Sequence, residues 1–139
     1  MTIYLDASVV VSLFANDAHA KRARALVSRQ GDLVFSDLTA AEFSSALAIH
    51  YRTGRAAEGD VRGAFTRFDR WCEQIPLRVD VTPEDIRCAE ALIRQLTHPL
   101  RAPDAIHLVI ARRLDATLAT FDEALALAGE RCGLRVMTS

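Results

Sequence analysis

Short apolar runs separated by helical stretches with clear start and stop signals constrain this chain more than any other feature. The runs are Ile3–Leu5, Leu33–Phe35, Leu77–Val81, Thr117–Ala119 and Leu134–Met137. Runs this short and this apolar predict strands buried on both faces, the pattern of a parallel sheet. The stretches between them read as helices. Ala18 to Gln30 places Ala20, Ala23, Leu26 and Val27 on one face and ends at Gly31. Thr39 to Tyr51 turns Phe43 and Leu47 inward, and Asp60 to Glu73 repeats Val61, Phe65, Phe68 and Cys72 at helical spacing. Thr82-Pro83-Glu84-Asp85 is a helix start, with threonine as cap, proline in the first turn and acids behind it. Pro103-Asp104 opens another helix, and Asp122 opens the last, which Gly133 ends. This order predicts a three-layer α/β/α sandwich with a mostly parallel sheet of four or five strands, the first strand central.

The 139 residues suit one domain, spanning 1–139. Half are hydrophobic and a quarter charged, which excludes a disordered chain. A formal charge of −1 argues against holding nucleic acid by overall charge but leaves room for a local basic rim. Of the 17 basic residues only Lys21 is lysine, so a mechanism needing a catalytic lysine has a single, badly placed candidate. Cys72, Cys88 and Cys132 are odd in number and widely spaced, which fits neither a disulfide framework nor a zinc site. A reducing, cytoplasmic setting is the expectation. The apolar stretch Ala7–Ala15 lacks a preceding basic residue and follows Asp6, unlike a secretory signal, and no run is long enough to span a membrane.

In open α/β sheets the site lies beyond the carboxyl ends of the strands, where strand order reverses. Four acids fall at such places. Asp6 directly follows the first strand, and Glu42 lies in the first turn after the second. Asp104 starts the helix before the fourth strand, and Asp122 follows that strand after Thr120. Each has a plain structural explanation as well. Asp6, Asp104 and Asp122 are all good helix caps, and Thr39-x-x-Glu42 has the form of a capping box. Together they read differently, because several carboxylates on one pocket repel one another and persist when a cation neutralises them. All-oxygen ligands favour Mg²⁺ or Mn²⁺ over zinc, and such ions support phosphodiester cleavage. Ser8 and Thr120 can orient the carboxylates from behind.

The segments Ile3-Tyr4-Leu5-Asp6-Ala7-Ser8, Leu38-Thr39-Ala40-Ala41-Glu42-Phe43, Leu100 to Leu108 around Pro103-Asp104-Ala105, and Leu118-Ala119-Thr120-Phe121-Asp122 resemble the PIN domain, specifically VapC-type toxin ribonucleases of prokaryotic toxin–antitoxin pairs. The resemblance spans essentially the whole chain, in order. It places the family's acidic quartet on Asp6, Glu42, Asp104 and Asp122 and its supporting hydroxyl on Thr120. It implies a Mg²⁺- or Mn²⁺-dependent endoribonuclease that leaves a 5′-phosphate and a 3′-hydroxyl. Asp6, Asp104 and Asp122 would be the main ligands, with Glu42 binding a second metal or orienting the attacking water. It also implies a homodimer and a cognate antitoxin that blocks the site and carries a DNA-binding domain, with a larger toxin–antitoxin assembly open.

Other readings lack their residues. A haloacid-dehalogenase-type phosphohydrolase needs an aspartate where Ser8 stands and a downstream lysine, and a receiver domain needs a lysine near its last strand. No G-x-x-x-x-G-K or G-x-S-x-G occurs. The remaining alternative is a catalytically inactive PIN-like module that binds RNA or protein. Among other polar residues, His107 lies one turn after Asp104 and reads as a hydrogen-bonded helix histidine with a supporting role as the lesser alternative. His19, His50 and His98 read as surface or core-edge residues, the Lys21–Arg29 stretch as a solvated helix face, and Trp71 as a core or dimer anchor.

Overall fold

A computed structural model describes residues 1–139. The elements in order are β1 (Thr2–Leu5), α1 (Ala7–Phe14), α2 (Ala20–Val27), β2 (Asp32–Ser36), α3 (Asp37–Arg52), α4 (Glu58–Gln74), β3 (Leu77–Val79), α5 (Pro83–Arg94), α6 (Ala102–Arg113), β4 (Thr117–Ala119), α7 (Glu123–Arg131) and β5 (Val136–Met137). The five strands form one sheet in the order β3-β2-β1-β4-β5. Every neighbouring pair is parallel, so the sheet is wholly rather than mostly parallel, and β1 is central as expected.

The strands bury both faces, as their lack of alternation requires. Ile3, Leu5, Leu33 and Phe35 point to one side, where they pack with Val9 and Val10 of α1, Leu26 of α2, Phe43 and Leu47 of α3 and Phe68 of α4. Tyr4, Val34 and Leu118 point to the other, against Leu108, Ile110 and Ala111 of α6 and Leu125 and Ala128 of α7. Trp71 is a core-edge residue, with its ring 5.5 Å from Phe14 and stacked 6.3 Å from Phe35. Gly129 lets α7 lie close on the sheet, since a Cβ there would stand 3.0 Å from Val136 and 3.2 Å from Leu118.

Several helix starts differ from expectation. Ser36, not Thr39, caps α3: it leaves β2 in extended conformation and its hydroxyl accepts from the Thr39 amide. The Thr39-x-x-Glu42 capping box therefore does not form, and Glu42 lies a turn inside the helix. Asp104 is not a cap either, because α6 begins at Ala102 with Arg101 as its cap residue. Proline lacks an N–H that the first turn would leave unpaired anyway, so the helix starts before Pro103 rather than at it. The Asp6, Thr82 and Asp122 caps form as expected, Thr82 with Asp85 as a full capping box. Helix α2 is shorter than its apolar pattern, and β3 and β5 are shorter than their runs.

Candidate active site

The strand order reverses between β1 and β4, and this is where the acids gather. Asp6 stands at the end of the central strand, 4% exposed. Its Oδ1 accepts from the Ser8 hydroxyl at 2.6 Å and the Val9 amide at 3.3 Å, and its Oδ2 accepts from the Thr120 hydroxyl at 2.5 Å. Each hydroxyl has one proton and gives it to Asp6. Their oxygens are free to accept, and they do so from the backbone beyond β4. Phe121 N–H donates to Ser8 Oγ at 2.9 Å, and Asp122 N–H donates to Thr120 Oγ1 at 3.0 Å. The two hydroxyls thus tie the turn that carries Asp122 to the carboxylate of Asp6.

Asp122 caps α7 with Oδ1, which accepts from the Ala124 and Leu125 amides at 2.9 and 3.1 Å. Its side chain opens to solvent in a pocket shared with Ser8, Glu42 and Phe121. Asp104 reaches the same field from the first turn of α6. Burial pushes its carboxyl above the ordinary range, a backbone hydrogen bond at Arg101 opposes this, and the nearby charges of Asp122 and Glu42 raise it further. Burial likewise pushes Asp6 up, against the pull of Ser8 and Thr120. Glu42, Asp104 and Asp122 thus share one electrostatic neighbourhood, and the Ser8 and Thr120 hydroxyls tie Asp6 to the turn that carries Asp122.

No arginine is ion-paired with any of the four acids. Six arginine–carboxylate pairs form on the molecule, on Glu58, Asp37, Glu84, Glu90, Asp85 and Asp115, and none involves Asp6, Glu42, Asp104 or Asp122. The basic side chain paired with the quartet is His107, whose Nε2 meets Glu42 Oε1. As the side chains stand, no three acidic, histidine or cysteine groups are gathered closely enough to hold one ion.

Two residues that sequence reasoning undervalued sit directly behind the acids. His107 is 2% exposed, and its Nδ1 lies 2.7 Å from the Tyr4 hydroxyl. Tyr4 is fully buried and also meets Ser36 Oγ at 2.7 Å. Burial pushes its phenol up to about 12, with the charges of Asp6 and Glu42 adding to the rise, so it stays a protonated donor. The available signals were a phenol within the apolar run Ile3-Tyr4-Leu5 and a histidine three residues after Asp104.

A model of the PIN domain matches residues 3–130. The chain belongs to the PIN-domain family. This PIN domain is 28% identical over 126 residues to Ribonuclease VapC3 of Pyrobaculum aerophilum, a match covering 91% of this chain and 93% of that protein. Its backbone resembles the crystal structure of Mycobacterium tuberculosis VapC20, described as a Sarcin-Ricin loop cleaving toxin. The TM-score is 0.70 at 21% identity, over 91% of this chain and 95% of that one. It also resembles VapBC2 from Rickettsia felis bound to a DNA fragment from its promoter, with a TM-score of 0.69 at 13% identity over 99% and 98% of the two chains. At these identities the two structures speak for the fold.

Proposed function

We propose that this PIN domain, residues 1–139 acting as one unit, is a Mg²⁺- or Mn²⁺-dependent endoribonuclease and the toxin of a toxin–antitoxin pair. The observation that carries the reading is the uncompensated quartet. Sixteen arginines are available, and the chain leaves Asp6, Glu42, Asp104 and Asp122 without one at the carboxyl edge of the sheet. Burying Asp6 without a counter-charge is costly, the partly exposed carboxylates near it add to that cost, and a divalent ion removes it. The donors are oxygens throughout, which fits Mg²⁺ or Mn²⁺.

Asp6, Asp104 and Asp122 would hold the metal, and Glu42 would hold a second ion or orient the attacking water. When bound, the ion supplies charge neutralisation at the scissile phosphate and activation of water. Ser8 and Thr120 keep Asp6 in one rotamer and fix the Asp122 turn relative to it. Product ends would be a 5′-phosphate and a 3′-hydroxyl.

The partner reading rests on the relatives. The structural neighbours include VapBC and other toxin–antitoxin complexes, which supports a cognate antitoxin that covers the site. A homodimer, alone or within a larger assembly, would bury some of the exposed apolar side chains. Leu96, Leu77 and Ile75 are 89%, 64% and 59% exposed. No helix is long and apolar enough to cross a membrane, and a cytoplasmic site of action fits the free cysteines. The test is incubation of metal-stripped protein with total cellular RNA, with and without Mn²⁺, followed by chemical mapping of the ends. Metal-dependent cuts with 5′-phosphates are expected. Intact RNA with metal present overturns the enzymatic reading in favour of an inactive PIN-like binding module.

A further inference from the structure

A chain of largely buried hydrogen bonds runs behind Glu42. The Thr39 hydroxyl donates to the Leu5 carbonyl at 3.0 Å and has no proton left for Tyr4. A carboxylate only accepts, so His107 Nε2 carries the hydrogen that it shares with Glu42 Oε1. In the neutral ring Nδ1 is then an acceptor, so Tyr4 donates to it and Ser36 donates to Tyr4. The donations run one way, Ser36 to Tyr4 to His107 to Glu42. A doubly protonated ring would reverse the first two and leave the last unchanged.

We propose that His107 is the positioning residue for Glu42: it pins Oε1 from a buried site and leaves Oε2 for cation or water, while Tyr4 fixes the ring that does the pinning. A glutamate has three rotatable side-chain bonds, and Glu42 is a third exposed at the pocket edge, so nothing else holds its carboxylate in one place. His107 can do so because it sits one turn along α6 from Asp104, and one helix thereby sets two of the four acids. The inference rests on the reading of the quartet as a cation site.

The experiment is a double-mutant cycle on metal-free protein, read by Mn²⁺ titration followed by electron paramagnetic resonance and, in parallel, by RNA cleavage. The variants are His107→Leu, Glu42→Gln, the pair together, and His107→Gln. Loss of an outer partner of a ligand typically weakens metal binding or activity about 10–100-fold, and His107→Leu is expected in that range. If His107 acts through Glu42, the double variant is no weaker than Glu42→Gln alone. His107→Gln, whose carboxamide N–H can reach Glu42, recovers most of both readouts. Multiplied losses in the double variant, or a His107→Leu protein that binds Mn²⁺ and cuts like wild type while Glu42→Gln is impaired, overturn the inference alone. A Glu42→Gln protein with unchanged Mn²⁺ binding and cleavage overturns the assignment of Glu42 to the site. Should His107→Leu fail to fold, Tyr4→Phe replaces it in the cycle, with a loss of a few-fold expected only where Glu42 is present and an additive loss overturning the proposal.

Discussion

Asp6 and Asp85 are 4% and 1% exposed, and each stands at a helix start with a hydroxyl beside it. They part in what balances the charge. Asp85 receives a forked pair of hydrogen bonds from Arg113, at 2.9 Å to Oδ1 and 2.8 Å to Oδ2, and another from the Thr82 amide at 2.9 Å. Burial pushes its carboxyl up, but Arg113 and Thr82 together outweigh it and hold it below the ordinary range. Asp6 has two hydroxyls and one amide, no arginine, and a carboxyl left above the ordinary range by burial. One charge is closed by the chain itself and serves to bolt α5 to α6. The other is oriented with care and left open. Burial alone does not tell the two acids apart; the missing counter-ion does.

The widest separation between the two should appear in activity. Asp6→Asn keeps the capping oxygen and removes the charge, so cleavage should fall by about two orders of magnitude or more, with the metal-free fold intact. Asp104→Asn and Asp122→Asn should behave alike. Asp85→Asn should leave the rate per folded molecule unchanged. Single-turnover cleavage by all four variants checks this, and an Asp6→Asn protein that cuts at the wild-type rate with the same metal requirement would sink the mechanism.

Stability should separate them in the reverse sense. Arg113→Met strands the Asp85 charge. Breaking a fully buried pair costs about 3–5 kcal/mol. The Arg113 side chain is 39% exposed, so about 2 kcal/mol is expected. No arginine can be removed from Asp6 with the same result. Its counterpart is added metal: Mn²⁺ at about 100 times its Kd should stabilise wild type by about 2.7 kcal/mol and Asp6→Asn by far less. Denaturant titrations with and without Mn²⁺ measure both, and equal metal stabilisation of the two proteins would remove Asp6 from the ligand set.

The sequence pattern carries the layers, the parallel sheet, the central β1 and the caps at Asp6 and Asp122, because burial on two faces and placement after a strand are local properties. It does not carry what balances each charge. Tyr4 and His107 lie 103 residues apart and Arg113 and Asp85 lie 28 apart, contacts that exist only once α6 has docked. The capping of α3 failed for a smaller reason. Two hydroxyl residues, Ser36 and Thr39, stand three apart at its start, and the one leaving the strand in extended conformation takes the cap. That same substitution frees Glu42 from a backbone role and leaves it for His107.

The smallest expected difference is in the pH dependence of the metal-free fold, and it has opposite sign at the two aspartates. Asp6 titrates above its unfolded value of 3.8, so the folded state holds the proton more tightly and the stabilisation it gives is present at low pH and lost as pH rises through the folded value. Asp85 titrates below 3.8, so its contribution is present above that value and lost as pH falls through the depressed one. At most one proton is involved at each, which caps the slope at about 1.4 kcal/mol per pH unit. Melting temperatures recorded in chelator from about pH 4 to about pH 7 should therefore show Asp6→Asn gaining on wild type as pH rises. Asp85→Asn should trail wild type by a nearly constant margin over that range and close the gap only below about pH 4, as the depressed carboxyl takes up its proton. Asp104 is raised as well and adds to the wild-type trend, but it is common to both comparisons and cancels in the differences. A flat difference between Asp6→Asn and wild type would mean that the hydroxyls and the Val9 amide already compensate the buried charge, and Asp6 would then be as closed a site as Asp85.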